Sequence, residues 1–307
     1  MTPDSILCCG EALIDMLPGP DGSFLPHPGG AVFNTAVALG RLGARAGFFW
    51  GLSRDMFGAM LDARLTEAGV DTTACLRTDR PCTLAFVALV EGQARYAFYD
   101  EGTAGRMLTT ADLPDRLPQA LFLGGISLVA EPCGTTMETL FARAIPDRAV
   151  MIDPNIRPGF IRDPASFRAR MARMLPAADI VKLSVEDLAW LSPDGALVPE
   201  LLRAGVKLVC VTDGAAGVRA WLPGAALHEP ARAVPVADTV GAGDTFNAGL
   251  LASLQSAGAL TKAGLAALTP DTVQAALRLG VAAAAITVSR PGANPPWAQE
   301  LCPAGAA

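Results

Sequence analysis

The chain has 307 residues, 51% of them hydrophobic and 6% aromatic, with a formal net charge of −6. That length suits one large α/β domain or two modest ones. A mildly acidic balance without runs of like charge argues against a nucleic-acid partner, which would call for a basic stripe.

The first residues, Met1 to Ser5, lack the basic start and apolar stretch of a signal peptide. The longest apolar run, Val281 to Val288, is too short to cross a bilayer, so no membrane role is expected. The seven cysteines (8, 9, 75, 82, 133, 210 and 302) form no Cys-x-x-Cys pair, and there are only two histidines. Zinc is therefore not expected, and an odd number of thiols points to a reducing cytoplasm.

Short apolar runs bounded by turn residues read as buried strands at 6–9, 47–50, 120–123, 150–152, 180–183 and 208–211. Helical patterns lie near 34–42, 57–68, 133–144, 166–175, 199–204, 245–255 and 272–287. This alternation predicts a mostly parallel sheet with helices on both faces, and ligands beyond the carboxyl ends of its strands. Two stretches break the rhythm, near 12–28 and 83–99. Each alternates around a turn, Pro20-Asp21-Gly22 or Glu91-Gly92, and reads as a hairpin. Four strands outside the α/β alternation predict a small separate sheet within one domain spanning 1–307.

The segment Asp238-Thr239-Val240-Gly241-Ala242-Gly243-Asp244-Thr245-Phe246-Asn247 joins a tight glycine turn to a helix start. Unpaired N–H groups there would attract an anion. Asp244 sets a carboxylate beside that anion hole. It is badly placed to hold phosphate, and well placed to take a proton from an alcohol attacking one. The plainer reading of Asp244 is a helix cap. No Gly-Lys-Ser/Thr follows the glycines, and Phe246 stands where a dinucleotide turn needs its third glycine. Further upstream, Gly29 and Gly30 would let a polyol approach the backbone. Asn34 offers a donor and an acceptor for adjacent hydroxyls.

Together these two segments closely resemble the signatures of the ribokinase-like (PfkB-type) sugar kinases. Gly51-Leu52-Ser53-Arg54-Asp55-Met56-Phe57-Gly58 is similar to a third family stretch, with Ser53 and Arg54 departing from it. The resemblance covers essentially the whole chain. It implies a three-layer α/β sandwich with a β-sheet lid, a lid-to-lid homodimer, and ATP, Mg²⁺ and a K⁺ site.

Residue by residue, the resemblance makes Asp244 the general base and gives Gly241, Ala242 and Gly243 to the anion hole. Arg157, in Asp153-Pro154-Asn155-Ile156-Arg157, becomes the contact to the moving phosphate, or else a surface arginine held by Asp153. Asp15, Gly29, Gly30, Asn34, Tyr96, Phe98 and Asn155 fall on the sugar side. Lys182, Ser184, Thr212, Gly214, Gly217 and Asn247 fall along the nucleotide. Glu186 or Asp187 would serve Mg²⁺ through water, although Ser184 replaces the family's Asn and Asp187 its Glu. Asp238, Val240, Arg290 and Gly292 mark the K⁺ site.

The stretches 96–108, 124–128 and 153–161 look most like bacterial fructokinases. The expected activity is therefore ATP-dependent phosphorylation of a ketohexose primary hydroxyl, D-fructose to fructose 6-phosphate. A 2-keto-3-deoxygluconate kinase, with Arg95 or Arg106 on the sugar carboxylate, and a ribokinase stay open. So does a module of the same fold that binds sugar or nucleotide without turnover.

Overall fold

Four apolar residues in succession, Ile6–Cys9, form β1, and all four are buried, as in a strand covered on both faces. The computed structural model describes residues 2–90 and 93–301, with the backbone alone at residues 20, 87–90 and 93–96. After β1 come β2 (Leu13–Pro18), β3 (Phe24–Gly29), α1 (Ala31–Arg41), β4 (Ala46–Phe49), β5 (Gly51–Ser53), α2 (Met56–Glu67) and β6 (Leu76–Thr78). The middle of the chain supplies β7 (Leu84–Val90), β8 (Gln93–Tyr99), β9 (Ala120–Gly124), α3 (Cys133–Ala144), β10 (Ala149–Asp153), α4 (Pro164–Met174), β11 (Ile180–Ser184) and α5 (Val185–Leu191). The last third holds α6 (Leu197–Ala204), β12 (Leu208–Thr212), β13 (Val218–Leu222), β14 (Ala225–Glu229), α7 (Ala242–Ser256), α8 (Lys262–Ala266), α9 (Pro270–Val288) and α10 (Ala298–Leu301).

Eight strands form the main sheet in the order β14-β13-β12-β11-β10-β9-β1-β4. Neighbours from β4 to β12 run parallel, and β13 and β14 close one edge as an antiparallel pair. All six strands expected from apolar runs are present, shifted by a residue or so at their ends. The edge pair was not foreseen. Its residues alternate in exposure rather than forming a buried run, so it lacked the signal used for the others.

The two hairpins join as a four-stranded sheet, β3-β2-β7-β8, in which β2 pairs parallel with β7. This is the small separate sheet expected at 12–28 and 83–99. The first turn is built by Asp21 and Gly22 at φ 62° and 74°. The second, at residues 91–92, lies outside the described residues.

Helix α7 carries the glycine motif and packs against α9. A Cβ at Gly249 would sit 2.6 Å from the Gly280 Cα, so the two backbones touch where both lack a side chain. By length and hydropathy α9 could cross a membrane, although the apolar run seen in sequence was shorter. In the fold Val273, Ala276, Leu277 and Val281 belong to the core that α7 shares.

Candidate active site

The carboxyl ends of β10 and β11, the start of α1 and the start of α7 converge on one buried polar cluster. Helix α7 begins at Ala242, earlier than its apolar pattern suggests, so the glycines lie at its very start. Gly241 caps the helix at φ 77°, and a Cβ there would lie 2.8 Å from Ala293 Cβ. The N–H of Thr245 makes the first helical bond, to Gly241 at 2.9 Å. The N–H groups of Gly243 and Asp244 precede it and have no partner within the helix.

Asp244 is third in α7 and only 6% exposed. Its Oδ2 accepts from the Asn34 Nδ2 at 2.9 Å, and its Oδ1 from the Asn155 Nδ2 at 3.4 Å. Burial pushes its carboxyl up to about 7. The Asn34 hydrogen bond opposes that rise, the Asp153 charge adds to it, and Lys182 and Arg157 pull it back. A carboxyl near neutrality, held by two amides rather than by an ion pair, can exchange a proton at physiological pH.

Beneath this turn lies a second buried group. Parallel pairing of β10 with β11 brings Asp153 beside Lys182. The Lys182 Nζ donates to Asp153 Oδ2 at 3.0 Å, and the Asn247 Nδ2 donates to the same oxygen at 2.7 Å. Burial disfavours the ammonium, but Asp153, Asp187 and Asp244 outweigh it and raise the lysine above its ordinary value. Lys182 and Asn247 were expected along the nucleotide. They are instead 3% and 1% exposed, committed to Asp153 under the glycines. A Cβ at Gly243 would stand 3.2 Å from the Lys182 Nζ, so this cation lies directly behind the first turn of α7.

Asn155 is a non-glycine residue at φ 43°, a conformation asparagine tolerates better than most. That kink, held by its N–H on Asp153 Oδ1 at 3.1 Å, turns its amide toward Asp244. Arg157 follows on an exposed loop. Its Nη1 donates to the Ile156 carbonyl at 3.1 Å, so Asp153 does not hold it.

On the lid side, Asp15 of β2 lies against Gly29 of β3, where any Cβ would collide with its carboxylate. Burial raises the Asp15 carboxyl to about 6. Gly30, at φ 110°, starts α1 and leads to Asn34 one turn on. The Phe98 ring packs on Phe160 at 4.7 Å, tying β8 to the loop after Arg157. The side chains of Arg95 and Tyr96 lie outside the described residues. Arg106 pairs with Asp100 at 2.8 Å and donates to the Glu131 carbonyl at 3.2 Å, so its charge already has a partner.

Ser184 and Asp187 form a reciprocal cap at the start of α5. Asp187 accepts from the Ser184 N–H at 2.8 Å and the Ile156 N–H at 2.7 Å, and is buried; Glu186 is exposed. Both oxygens of Asp187 thus hold backbone, and the open acid is Glu186. Thr212 donates to the Leu183 carbonyl at 3.3 Å at the end of β12. Gly214 and Gly217, at φ 42° and 92°, shape the turn between β12 and β13. Asp238 accepts from the Val240 N–H at 3.0 Å and the Gly292 N–H at 2.9 Å. It thereby ties the irregular segment leading to α7 to the loop after α9. Arg290 instead pairs with Glu300.

Two buried acids were not picked out as site residues. Asp153 enters the sequence reading only as a holder for Arg157, because its actual partners come from a neighbouring strand and from α7. The other is Glu11, just past the end of β1 and 4% exposed. The signal in both was a lone carboxylate at the carboxyl end of an apolar strand.

A mostly parallel sheet, a small second sheet, and a buried carboxylate beside a helix start with free N–H groups point to a phosphoryl-transfer enzyme of the sugar-kinase class. The chain belongs to the pfkB family of carbohydrate kinases, whose family model matches residues 4–300. It is 52% identical over 279 residues to a fructokinase from Rhizobium leguminosarum bv. trifolii, covering 88% of this chain and 85% of that one. A fructokinase from Xylella fastidiosa with bound ATP superposes with a TM-score of 0.91 at 31% identity, covering 98% of both chains. A double-mutant fructokinase from Vibrio cholerae O395, bound to fructose, ADP and a potassium ion, superposes with a TM-score of 0.82 at 26% identity, covering 95% of this chain and 94% of that one.

Proposed function

We propose that this enzyme transfers the γ-phosphoryl group of ATP to the primary hydroxyl at O6 of D-fructose. The observation that carries the chemistry is the Asp244 carboxylate, buried at the first turn of α7 and held by Asn34 and Asn155. Likeness to fructokinases along nearly the whole chain supports the sugar.

In this reading Asp244 accepts the O6 proton as that oxygen attacks the γ-phosphorus. The bond to the β–γ bridging oxygen breaks and ADP leaves. The N–H groups at the start of α7 meet the charge on the equatorial oxygens, with the Lys182 ammonium behind them. Arg157 reaches in from its exposed loop, where a guanidinium can make a two-point contact with phosphate. Positioning and fixed charges supply most of the rate. Closure of the lid would exclude water, which competes with the sugar for phosphate.

Among the described residues there is no cluster of three or more acidic, histidine or cysteine side chains fit to cage a metal. That suits Mg²⁺, which keeps most of its waters and binds largely through phosphates; here Glu186 would hold it through water. When bound, Mg²⁺ would neutralise charge on the β- and γ-phosphates. The carboxylate of Asp238 and the carbonyls near Val240 and Gly292 are hard oxygen donors suited to K⁺. A homodimer through the lid is supported by the edge-to-face chain Phe24–Phe86–Tyr99, since Phe24, Leu25 and Tyr99 leave apolar surface in solvent. The six described cysteines are free thiols, in keeping with a cytoplasmic enzyme.

The test is ADP release from Mg·ATP with fructose, 2-keto-3-deoxygluconate, ribose and adenosine side by side. Turnover with fructose, absent without sugar, is expected. Turnover with the sugar acid alone would move the substrate assignment and keep Asp244. No turnover with any of them would return the binding-module reading.

A further inference from the structure

Glu11 lies two residues past the end of β1 and is 4% exposed. Its two oxygens serve two different segments. Oε1 accepts from the Ala31 N–H at 3.0 Å, at the start of α1. Oε2 accepts from the Ser127 N–H at 3.2 Å, in the turn after β9. Its carbonyl takes the Phe33 N–H at 3.2 Å. No ion pair to Glu11 occurs among the described residues. A buried carboxylate without a cation is costly unless its hydrogen bonds require the charge. Here they do, because an amide cannot accept at both ends.

Two glycines fit around this carboxylate. A Cβ at Gly30 would lie 2.7 Å from the Glu11 carbonyl oxygen, and one at Gly125 would strike Oε1. The result is a clamp across the end of the sheet, acting on the first turn of α1. One turn on, the Asn34 N–H bonds to the Gly30 carbonyl at 2.8 Å and the Asn34 amide reaches Asp244.

We propose that Glu11 is a positioning residue for the base, fixing the first turn of α1 and thereby where the Asn34 amide meets Asp244. This rests on Asp244 being the base. Glu11 also stands in the field of Asp244. Burial lifts Glu11 to about 7, the backbone hydrogen bonds oppose the rise, and the Asp244 charge adds to it. The other charged groups felt at Asp244 are Asp153 of β10, Lys182 of β11 and Arg157 of the loop between β10 and α4. Burial raises the Cys133 thiol of α3, and the Glu11 charge adds a little to that rise.

Two variants separate position from charge. E11Q keeps one acceptor, opposes a donor to the second N–H, and removes the negative neighbour. A fall in kcat/KM on the order of tenfold is expected, within the coupling range of contacting residues. Its acid limb should also move to lower pH. E11D keeps the charge but cannot span both N–H groups, so its rate should fall with the limb in place. In a cycle with N34A, the losses from Glu11 and Asn34 should overlap. Additive losses, or a folded E11Q with unchanged rate and limb, would overturn the proposal. Should E11Q fail to fold, E11D in the same cycle decides between overlap and additivity. An active D244N would instead sink the base itself, a distinguishable failure.

Discussion

The two sides of the phosphate turn are built differently. On the proposed acceptor side, Asp244, Asp153, Lys182, Asn247 and Glu11 are buried and hydrogen-bonded, with the half-buried amides of Asn34 and Asn155 closing over Asp244. On the nucleotide side, Arg157, Glu186, Val240 and the loop leading to α7 are open to solvent, and the buried side chains there hold backbone. The contrast follows from what each side must do. A base needs a dry, fixed surrounding to keep its pKa near neutrality. A polyphosphate brings its own charge and water, and needs mainly a shaped backbone with mobile cations.

Breaking the acceptor side should have the largest consequences. D244N should fold normally and bind fructose, yet lose ~10²–10⁴-fold in kcat, as for a general base; steady-state kinetics beside calorimetric binding checks both. K182M leaves Asp153 buried without its cation and should cost about 3–5 kcal/mol of stability, read by urea denaturation. On the open side the effects shrink. R157A should leave the melting temperature alone and lower kcat/KM by roughly 10–100-fold, the worth of hydrogen bonds to a charged group. E186Q, altering an exposed acid that acts through water, should change the rate by less than about tenfold, on the scale of an exposed charge. Its main effect should be on the Mg²⁺ concentration needed for half-maximal rate. A larger loss in E186Q than in R157A would redraw the contrast.

The same contrast explains what the sequence could convey. Strands such as Ile6–Cys9 and Leu208–Thr212 declare themselves by unbroken apolar runs, and the glycine turn before Asp244 by its spacing. Lys182 did not, because a lysine in an apolar strand reads as a reaching cation until its neighbour across the sheet is known. Asp153 is that neighbour, set by strand register rather than by any local pattern. Sequence leaves Glu186 and Asp187 both open as the metal acid, because a cap and a ligand use the same residue types at a helix start. The two N–H groups on the Asp187 oxygens, invisible in sequence, mark it as the cap. Arg106 was ambiguous in sequence for want of its partner, Asp100.

The most direct test of the buried base is the pH dependence of kcat/KM for fructose, which reports groups in the free enzyme. Asp244 must be ionised to accept a proton, and its folded pKa is raised to about 7. Activity should therefore fall tenfold per pH unit below about 7 and level off above it, and the residual activity of D244N should lack this limb. A limb in the ordinary carboxylate range, or one that persists in D244N, would contradict the assignment.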